Sequence, residues 1–259
     1  MDLELEGKTA LVTGASKGIG LAVAEVLAAE GCALHLAART ADSLKAACAR
    51  IEAAHDVRAT AHPIDLSRTG SAQALAAACP DVDILVNNAG AIPGGDLDAI
   101  DEARWREAWE LKVFGYINLT REYYRRMRER GGGVIVNVIG LAGERMDANY
   151  VAGSAGNASL MAFTRATGSV SIDQGVRILG LNPGSIETGR LIALFKARAQ
   201  RLFGDAARWR ELYEPLPLKR PGTVREIADV VAFLASPRAS YMSGTIVTVD
   251  GGAAARGRP

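Results

Sequence analysis

Short apolar runs of strand length alternate along this chain with longer stretches of helical spacing. Lys8 to Thr13 (KTALVT) reads as a strand, and Ile19 to Glu30 as an Ala-rich helix that Gly31 would stop. Ala33 to Ala38 reads as a second strand, Asp42 to Ala54 as a helix, Val57 to Ile64 as a third strand and Ser71 to Cys79 as a short helix. Asp83 to Val86 is a fourth strand that runs into Asn87-Asn88-Ala89-Gly90. Asp101 to Arg130 contains helical material, and Val134 to Val138 is a fifth strand. Asn149 to Ser171 carries helical spacing, followed by strands at Val176 to Leu181 and Ile246 to Val249. This alternation predicts an α/β fold: a doubly wound parallel sheet of about seven strands, Rossmann type, with helices on both faces. No long linker or repeat interrupts it, so residues 1–259 read as one domain, with a less regular segment from Gly189 to Arg220.

Composition narrows the functional classes. A hydrophobic fraction of 49% and a charged fraction of 23% are ordinary for a soluble globular chain. With 30 basic and 29 acidic side chains, the net charge of +1 gives no electrostatic reason to expect nucleic acid or an anionic membrane. The local cluster Arg121, Arg125, Arg126, Arg128 and Arg130 reads as a solvated face near a helix C-terminus. Cys32, Cys48 and Cys79 are widely spaced, which fits a reducing compartment without a disulfide framework or zinc motif. His35, His55 and His62 look isolated, so no metal site is expected. The acidic, alternating N-terminus has no signal-peptide pattern, and no apolar run is long enough for a bilayer; a cytoplasmic location is the expectation.

The strongest local signal is Thr13-Gly14-Ala15-Ser16-Lys17-Gly18-Ile19-Gly20, between the first strand and the first helix. Glycines permit a sharp turn and let a pyrophosphate approach the backbone. The helix N-terminus then presents unpaired N–H groups and a positive dipole end. Further marks follow in order: Asp65-Leu66 after the third strand, NNAG at 87–90, Tyr150 opening a helix, Asn182-Pro183-Gly184 with Thr188 beyond, and Ser243 to Gly252 at the tail. Over nearly its whole length the chain resembles the short-chain dehydrogenases/reductases. That resemblance implies that Gly14, Ser16, Lys17, Gly18, Ile19 and Gly20 form the phosphate turn, and that Asp65 and Leu66 contact the adenine. It implies that Asn88, Ala89 and Gly90 line the ribose, and that Pro183, Gly184, Ile186 and Thr188 hold the nicotinamide amide and nearby phosphate.

The second strand ends Leu36-Ala37-Ala38-Arg39-Thr40. A site for NAD usually has an acidic side chain there to bind the ribose hydroxyls. Ala38 takes that position; Arg39 follows it and Lys17 lies in the glycine turn, so two cations would flank a 2′-phosphate. NADP(H) is therefore expected over NAD(H).

The resemblance also implies a catalytic tyrosine, a lysine four residues after it, a serine that holds the carbonyl oxygen and an asparagine on a neighbouring helix. Tyr150 matches the tyrosine. Ser154 stands at the lysine position, Gly140 at the serine position and Lys112 at the asparagine position. No serine lies between Asn137 and Tyr150, and the loop between them is about three residues short of the family pattern. One reading places the Lys112 ammonium in the space left by the absent lysine, where it would stabilise tyrosinate; the other lets it snorkel to the surface. Tyr150, Ser154 and Asn157 share a helix face and would form a neutral relay, or serve helix packing. Glu144 and Arg145, in the short loop, are candidates to replace the missing donor or to bind substrate.

Residues 189–220 fall where the family places its substrate lid. Leu191, Leu194, Phe195, Leu202, Phe203, Trp209 and Tyr213 give this stretch amphipathic helical character. Two functions stay open at this point. One is an oxidoreductase transferring a hydride between NADP(H) and a small carbonyl or alcohol substrate, with an atypical active site. The other is a catalytically weak or inactive dinucleotide-binding homologue acting as a sensor or oligomer partner. The resemblance implies a homodimer or homotetramer.

Overall fold

The structure, a computed structural model, describes residues 1–256. One parallel sheet contains strands β1 (Thr9–Thr13), β2 (Ala33–Ala38), β3 (Ala59–Pro63), β4 (Ile84–Asn87), β5 (Gly133–Val138), β6 (Val176–Pro183) and β7 (Ile246–Val249). Their spatial order is β3-β2-β1-β4-β5-β6-β7. Helices α1 (Gly18–Ala29), α2 (Ala41–Ala54) and α8 (Val224–Ala235) bury Val23, Leu27, Leu44, Ile51, Ile227 and Val231 on one face of the sheet. On the other face α3 (Ser71–Ala78) and α5 (Gly115–Arg130) bury Leu75, Leu119, Tyr123 and Met127, and α6 (Val151–Ser171) buries Leu160 and Met161. Central strands covered on both faces need continuous apolar runs, which is how β1, β4 and β6 read.

The expected seven strands are the seven found, with shifted ends: the third starts at Ala59 and the sixth runs on to Pro183. The stretch from 101 to 130 is not one helix. It comprises α4 (Glu102–Trp109), a π-helical turn at Glu110–Phe114 that carries Lys112, and α5. The helix expected from Asn149 begins at Val151, with Tyr150 as its N-cap residue. Helix α8 was not foreseen, although the sequence carries its start signal. The Thr223 hydroxyl accepts from the Glu226 N–H while the Glu226 carboxylate accepts from the Thr223 N–H, a complete capping box.

The strand order reverses between β1 and β4, which leaves a crevice at their C-terminal ends. Thr13, fully buried at the end of β1, ties that junction together. Its hydroxyl accepts from the N–H groups of Asn88 (2.9 Å) and Ala89 (3.0 Å) and donates to the Val86 carbonyl (3.3 Å). The Asn88 side-chain amide donates back to the Thr13 carbonyl at 3.0 Å. Thr13→Val preserves the shape of the side chain but strands two part-buried N–H donors. It is expected to lower unfolding stability by about 1–3 kcal/mol in urea titrations and to weaken dinucleotide binding. An unchanged midpoint would show that the hydroxyl is dispensable.

Candidate active site and cofactor crevice

The glycine turn is shaped for a close approach. Gly14 (φ +66°) and Gly18 (φ +60°) occupy the left-handed region that glycine favours. A Cβ on Gly20 would lie 2.4 Å from the Asn88 amide nitrogen and 2.5 Å from the Gly14 carbonyl, so only hydrogen fits there. Lys17 is the N-cap residue of α1, in extended backbone, and its side chain does not cap the helix. The N–H groups of the first turn thus have no side-chain acceptor, the condition in which a helix N-terminus takes up an anion. Thr188 faces the turn across a van der Waals gap from Gly18 and caps α7 (Gly189–Phe203) through its hydroxyl, which accepts from the Leu191 N–H at 3.2 Å. These residues fit a dinucleotide diphosphate.

At the second strand end, Arg39 is exposed beside the Asp65 carboxylate. The Ser67 hydroxyl donates to that carboxylate at 2.7 Å. This bond first, with Arg39 adding to it, holds the Asp65 pKa below its usual value. Leu66 is buried. Ile186 forms an isolated bridge with Gly222, and the Gly184 N–H donates to the Val249 carbonyl at 3.0 Å, which anchors the segment after β6.

Tyr150 lies half-buried in an apolar cluster with Ile92, Ile100 and Ala152. Its ring covers Gly153: a Cβ there would lie 2.0 Å from the ring. Burial raises the Tyr150 pKa, opposed by the nearby Arg190 guanidinium, which donates to the Ile92 carbonyl. Arg190, in the first turn of α7, is therefore the cation at the tyrosine. It had escaped notice in the sequence, because its two contacts lie 40 and 98 residues away and no local spacing reports them.

Lys112 is placed differently from either expectation. It is part-buried: its ammonium donates to the Ile139 carbonyl at 2.5 Å, and its chain packs on Gly90, where a Cβ would come within 2.7 Å. Burial, with Arg190 nearby, pushes its pKa down to about 7. No hydrogen bond joins it to Tyr150 among the described residues. π-Helical turns of this kind frequently occur at functional sites.

Of the two readings of Tyr150, Ser154 and Asn157, a relay or helix packing, no hydrogen-bonded relay joins them among the described residues. The Ser154 hydroxyl accepts from the Asp147 N–H at 3.0 Å and so fastens the short loop. Asn157 is buried against Gly140 instead, with its Oδ1 lacking a hydrogen-bond partner among the described residues. Gly140 has φ +134°, and a Cβ on it would meet the Asn157 amide at 3.0 Å. A serine at position 140 would be strained, which explains the glycine physically. Glu144 and Arg145 point to structure rather than to the tyrosine. The Glu144 carboxylate accepts from the Asn182 amide (3.2 Å) and the Thr248 hydroxyl (2.8 Å), and Arg145 donates to the Ala253 carbonyl (2.9 Å). His35 and His62 are not isolated: their Nδ1 and Nε2 atoms lie 2.8 Å apart.

A crevice at the switch point, a glycine turn against a helix start and a tyrosine opening the helix after β5 together define a dinucleotide-dependent oxidoreductase of the Rossmann type. The sequence pattern of the short chain dehydrogenase family matches residues 8–199. The chain is 36% identical over 250 residues to galactitol 2-dehydrogenase (L-tagatose-forming) of Cereibacter sphaeroides, covering 96% of this chain and 95% of that one. L-sorbose reductase from Gluconobacter frateurii, solved with NADPH and L-sorbose, superposes with a TM-score of 0.89 at 31% identity, over 97% of this chain and 98% of that one. A 7α-hydroxysteroid dehydrogenase solved with NADH and 7-oxo glycochenodeoxycholic acid gives 0.87 at 30% identity, over 97% and 96%. The chain belongs to the short-chain dehydrogenase/reductase family and is an oxidoreductase that uses a nicotinamide cofactor. No helix among the described residues is long and apolar enough to cross a membrane.

The buried lysine generates a pH signature. In the unfolded chain Lys112 titrates near 10.5, in the folded chain near 7, so between these values the unfolded state binds the extra proton. Stability supplied by this residue therefore rises with pH across that window, by at most about 1.4 kcal/mol per pH unit. Lys112→Met is expected to flatten the rise in unfolding free energy between pH 7 and 9 relative to the parent protein. Identical slopes for the two would show that the ammonium stays protonated.

Proposed function

We propose that the protein is an NADP(H)-dependent oxidoreductase that interconverts a small-molecule carbonyl compound and its alcohol, with Tyr150 as general acid and base. The observation that supports this most directly is the half-buried Tyr150 at the head of α6, with the Arg190 guanidinium close enough to oppose the effect of burial on the phenol. When bound, the nicotinamide supplies or accepts the hydride. In reduction Tyr150 donates its proton to the carbonyl oxygen; in oxidation its phenolate takes the proton from the alcohol. A buried tyrosine resists ionisation, and a nearby guanidinium stabilises the phenolate, which is the task the family's lysine performs from position 154. Arg190 takes over that task here, Gly140 keeps the loop clear of a side chain, and Lys112 holds the Ile139 carbonyl beside Gly90.

Gly14 to Gly20, Asp65, Leu66, Asn88 to Gly90 and Pro183 to Thr188 bind the dinucleotide in this reading. Arg39, with Lys17, selects the 2′-phosphate; the absence of an acid at Ala38 supports that preference. Residues 189–220 act as the substrate lid. Phe195, Ala199 and Trp209 give the segment a small core of its own, while Leu194, Leu202 and Leu218 stay exposed, contrary to a simple one-face pattern.

NADPH oxidation assayed with aldehydes, ketones and sugar ketones tests the activity. Tyr150→Phe is expected to lower turnover by roughly 100- to 10,000-fold while NADPH still binds. Arg190→Ala is expected to reduce alcohol oxidation at neutral pH and to move the basic limb of its pH–rate profile upward. Tight NADPH binding with no turnover on any substrate would overturn the enzymatic reading, and an unmoved limb would remove Arg190 from it.

Arg39→Ala tests the coenzyme. Loss of a charge-assisted bond to phosphate is expected to weaken NADPH by roughly 10- to 100-fold and leave NADH nearly unchanged, as read by fluorescence titration. Equal weakening of both would place the phosphate elsewhere.

A further inference from the structure

On the sheet face covered by α3, away from Tyr150, the chain assembles three groups that sequence spacing hides. His35 lies on β2 and His62 on β3, and the parallel register pairs His35 with Thr60 and Ala37 with His62, so the two histidines stand diagonally on one face. Their rings lie 4.9 Å apart at 52°, with His35 Nδ1 and His62 Nε2 separated by 2.8 Å. Cys79 ends α3 and is buried. The two ring nitrogens and the Cys79 sulfur all fall within 4.8 Å of one another.

We propose that His35, His62 and Cys79 form a binding site for a thiophilic divalent transition-metal ion of the zinc type, linking β2, β3 and the end of α3. Zinc takes His nitrogens at about 2.0–2.1 Å and Cys sulfur at about 2.3 Å, which in a tetrahedron puts N···N near roughly 3.3 Å and N···S near roughly 3.6 Å. The observed N···N separation of 2.8 Å and the 4.8 Å limit on all three atoms lie on either side of those values. Two imidazole nitrogens aimed at the same point share one proton when no ion is present. On binding, that hydrogen bond breaks; the ring that supplied the shared proton loses it to solvent from its inward nitrogen and takes one up on its outward nitrogen, so both rings stay neutral and His35 Nδ1 and His62 Nε2 each donate a lone pair. The Cys79 S–H bond breaks heterolytically, its electron pair forms the sulfur–metal bond, and one proton leaves to solvent; nothing is oxidised or reduced. Burial favours neutral imidazole at both histidines, with His62 and Arg58 adding to it at His35, and neutral imidazole is the state a metal requires. The half-buried rings leave a fourth position for water.

The Cys79 thiol donates to the Leu75 carbonyl at 3.1 Å, a bond that metal binding would break. The Tyr123 hydroxyl lies 3.1 Å from the Cys79 sulfur and donates to the Cys79 carbonyl at 2.9 Å, so it can turn its proton toward sulfur once the thiol ionises. A histidine pair that served only to bridge two strands would need neither the thiol nor this phenol.

Metal-stripped full-length protein titrated with Co²⁺ reads the site through its thiolate-to-cobalt charge-transfer absorption, and Zn²⁺ reads it through the melting temperature. One Co²⁺ per chain, displaced by Zn²⁺, with a raised melting temperature in Zn²⁺, is expected. Cys79→Ser should abolish the charge-transfer band. His62→Gln, which keeps a hydrogen-bonding side chain on the strand, should weaken Co²⁺ at least about tenfold. Cys48→Ser serves as the control and should change neither. Absence of the band in the parent protein, or a band that persists in Cys79→Ser, overturns the proposal. Should Cys79→Ser fail to fold, unweakened binding in both His35→Gln and His62→Gln does the same. NADPH binding is measured on the same samples, so failure here is distinguishable from failure of the oxidoreductase reading.

Discussion

A single hydroxyl group holds open the place where this protein works. Strand order reverses between β1 and β4, and a parallel sheet has no ladder of its own to fix how two chains leave it there. The Thr13 hydroxyl supplies that fixing, by accepting from two consecutive N–H groups after β4 and donating to a third backbone group. Because Asn88 is thereby locked, its amide lies against Gly20, and the turn can tolerate only hydrogen at that position. The glycines of the phosphate turn are thus consequences of the β1–β4 junction as much as of any ligand. Backbone conformation dictates Gly14 and Gly18; close packing dictates Gly20.

That distinction explains what the chain discloses in one dimension. Residues whose identity is set by local backbone or by direct strand-to-helix connection leave a readable trace: the glycine turn, the apolar runs of the central strands, and Tyr150 at the head of α6. Helix α8 left a trace as well, in the spacing of Thr223 and Glu226, and it went unread only because the preceding stretch looked irregular. Arg190 and the His35–His62 pair belong to another kind. Their partners lie 40, 98 and 27 residues away, and a pairing across that separation is settled by strand register and helix placement, which no short window contains. The register that joins the histidines sets Ala37 opposite His62 and Thr60 opposite His35, a property of the strand pairing and not of either strand alone.

The departures from the family's catalytic pattern hang together physically. Gly140 occupies a backbone region closed to serine, and Asn157 packs against it. Gly153 lets the Tyr150 ring lie over the first turn of α6, a position that any larger residue would block. Ser154 fastens the Asp147 end of the loop, and Asn182 and Thr248 fasten it at Glu144. A short loop held at both ends and a tyrosine laid over its helix form one arrangement. Restoring one family residue to it would introduce strain before it restored chemistry.

The position of the replacement cation matters more than its identity. A lysine four residues after the tyrosine sits on the same helix, so its distance from the phenol is fixed by helical geometry whatever the rest of the molecule does. Arg190 sits in the first turn of α7, far from Tyr150 in sequence, and acts on it across the fold. Burial alone raises the tyrosine's pKa, and the contact with Arg190 is the interaction that opposes it. The acid strength of Tyr150 is consequently tied to where the first turn of α7 lies. Thr188, which caps that turn, is also the residue facing Gly18 of the phosphate turn. A dinucleotide held between Gly18 and Thr188 would bear on the same turn that carries Arg190, so occupancy of the crevice would be felt at the tyrosine through three consecutive residues, Thr188, Gly189 and Arg190.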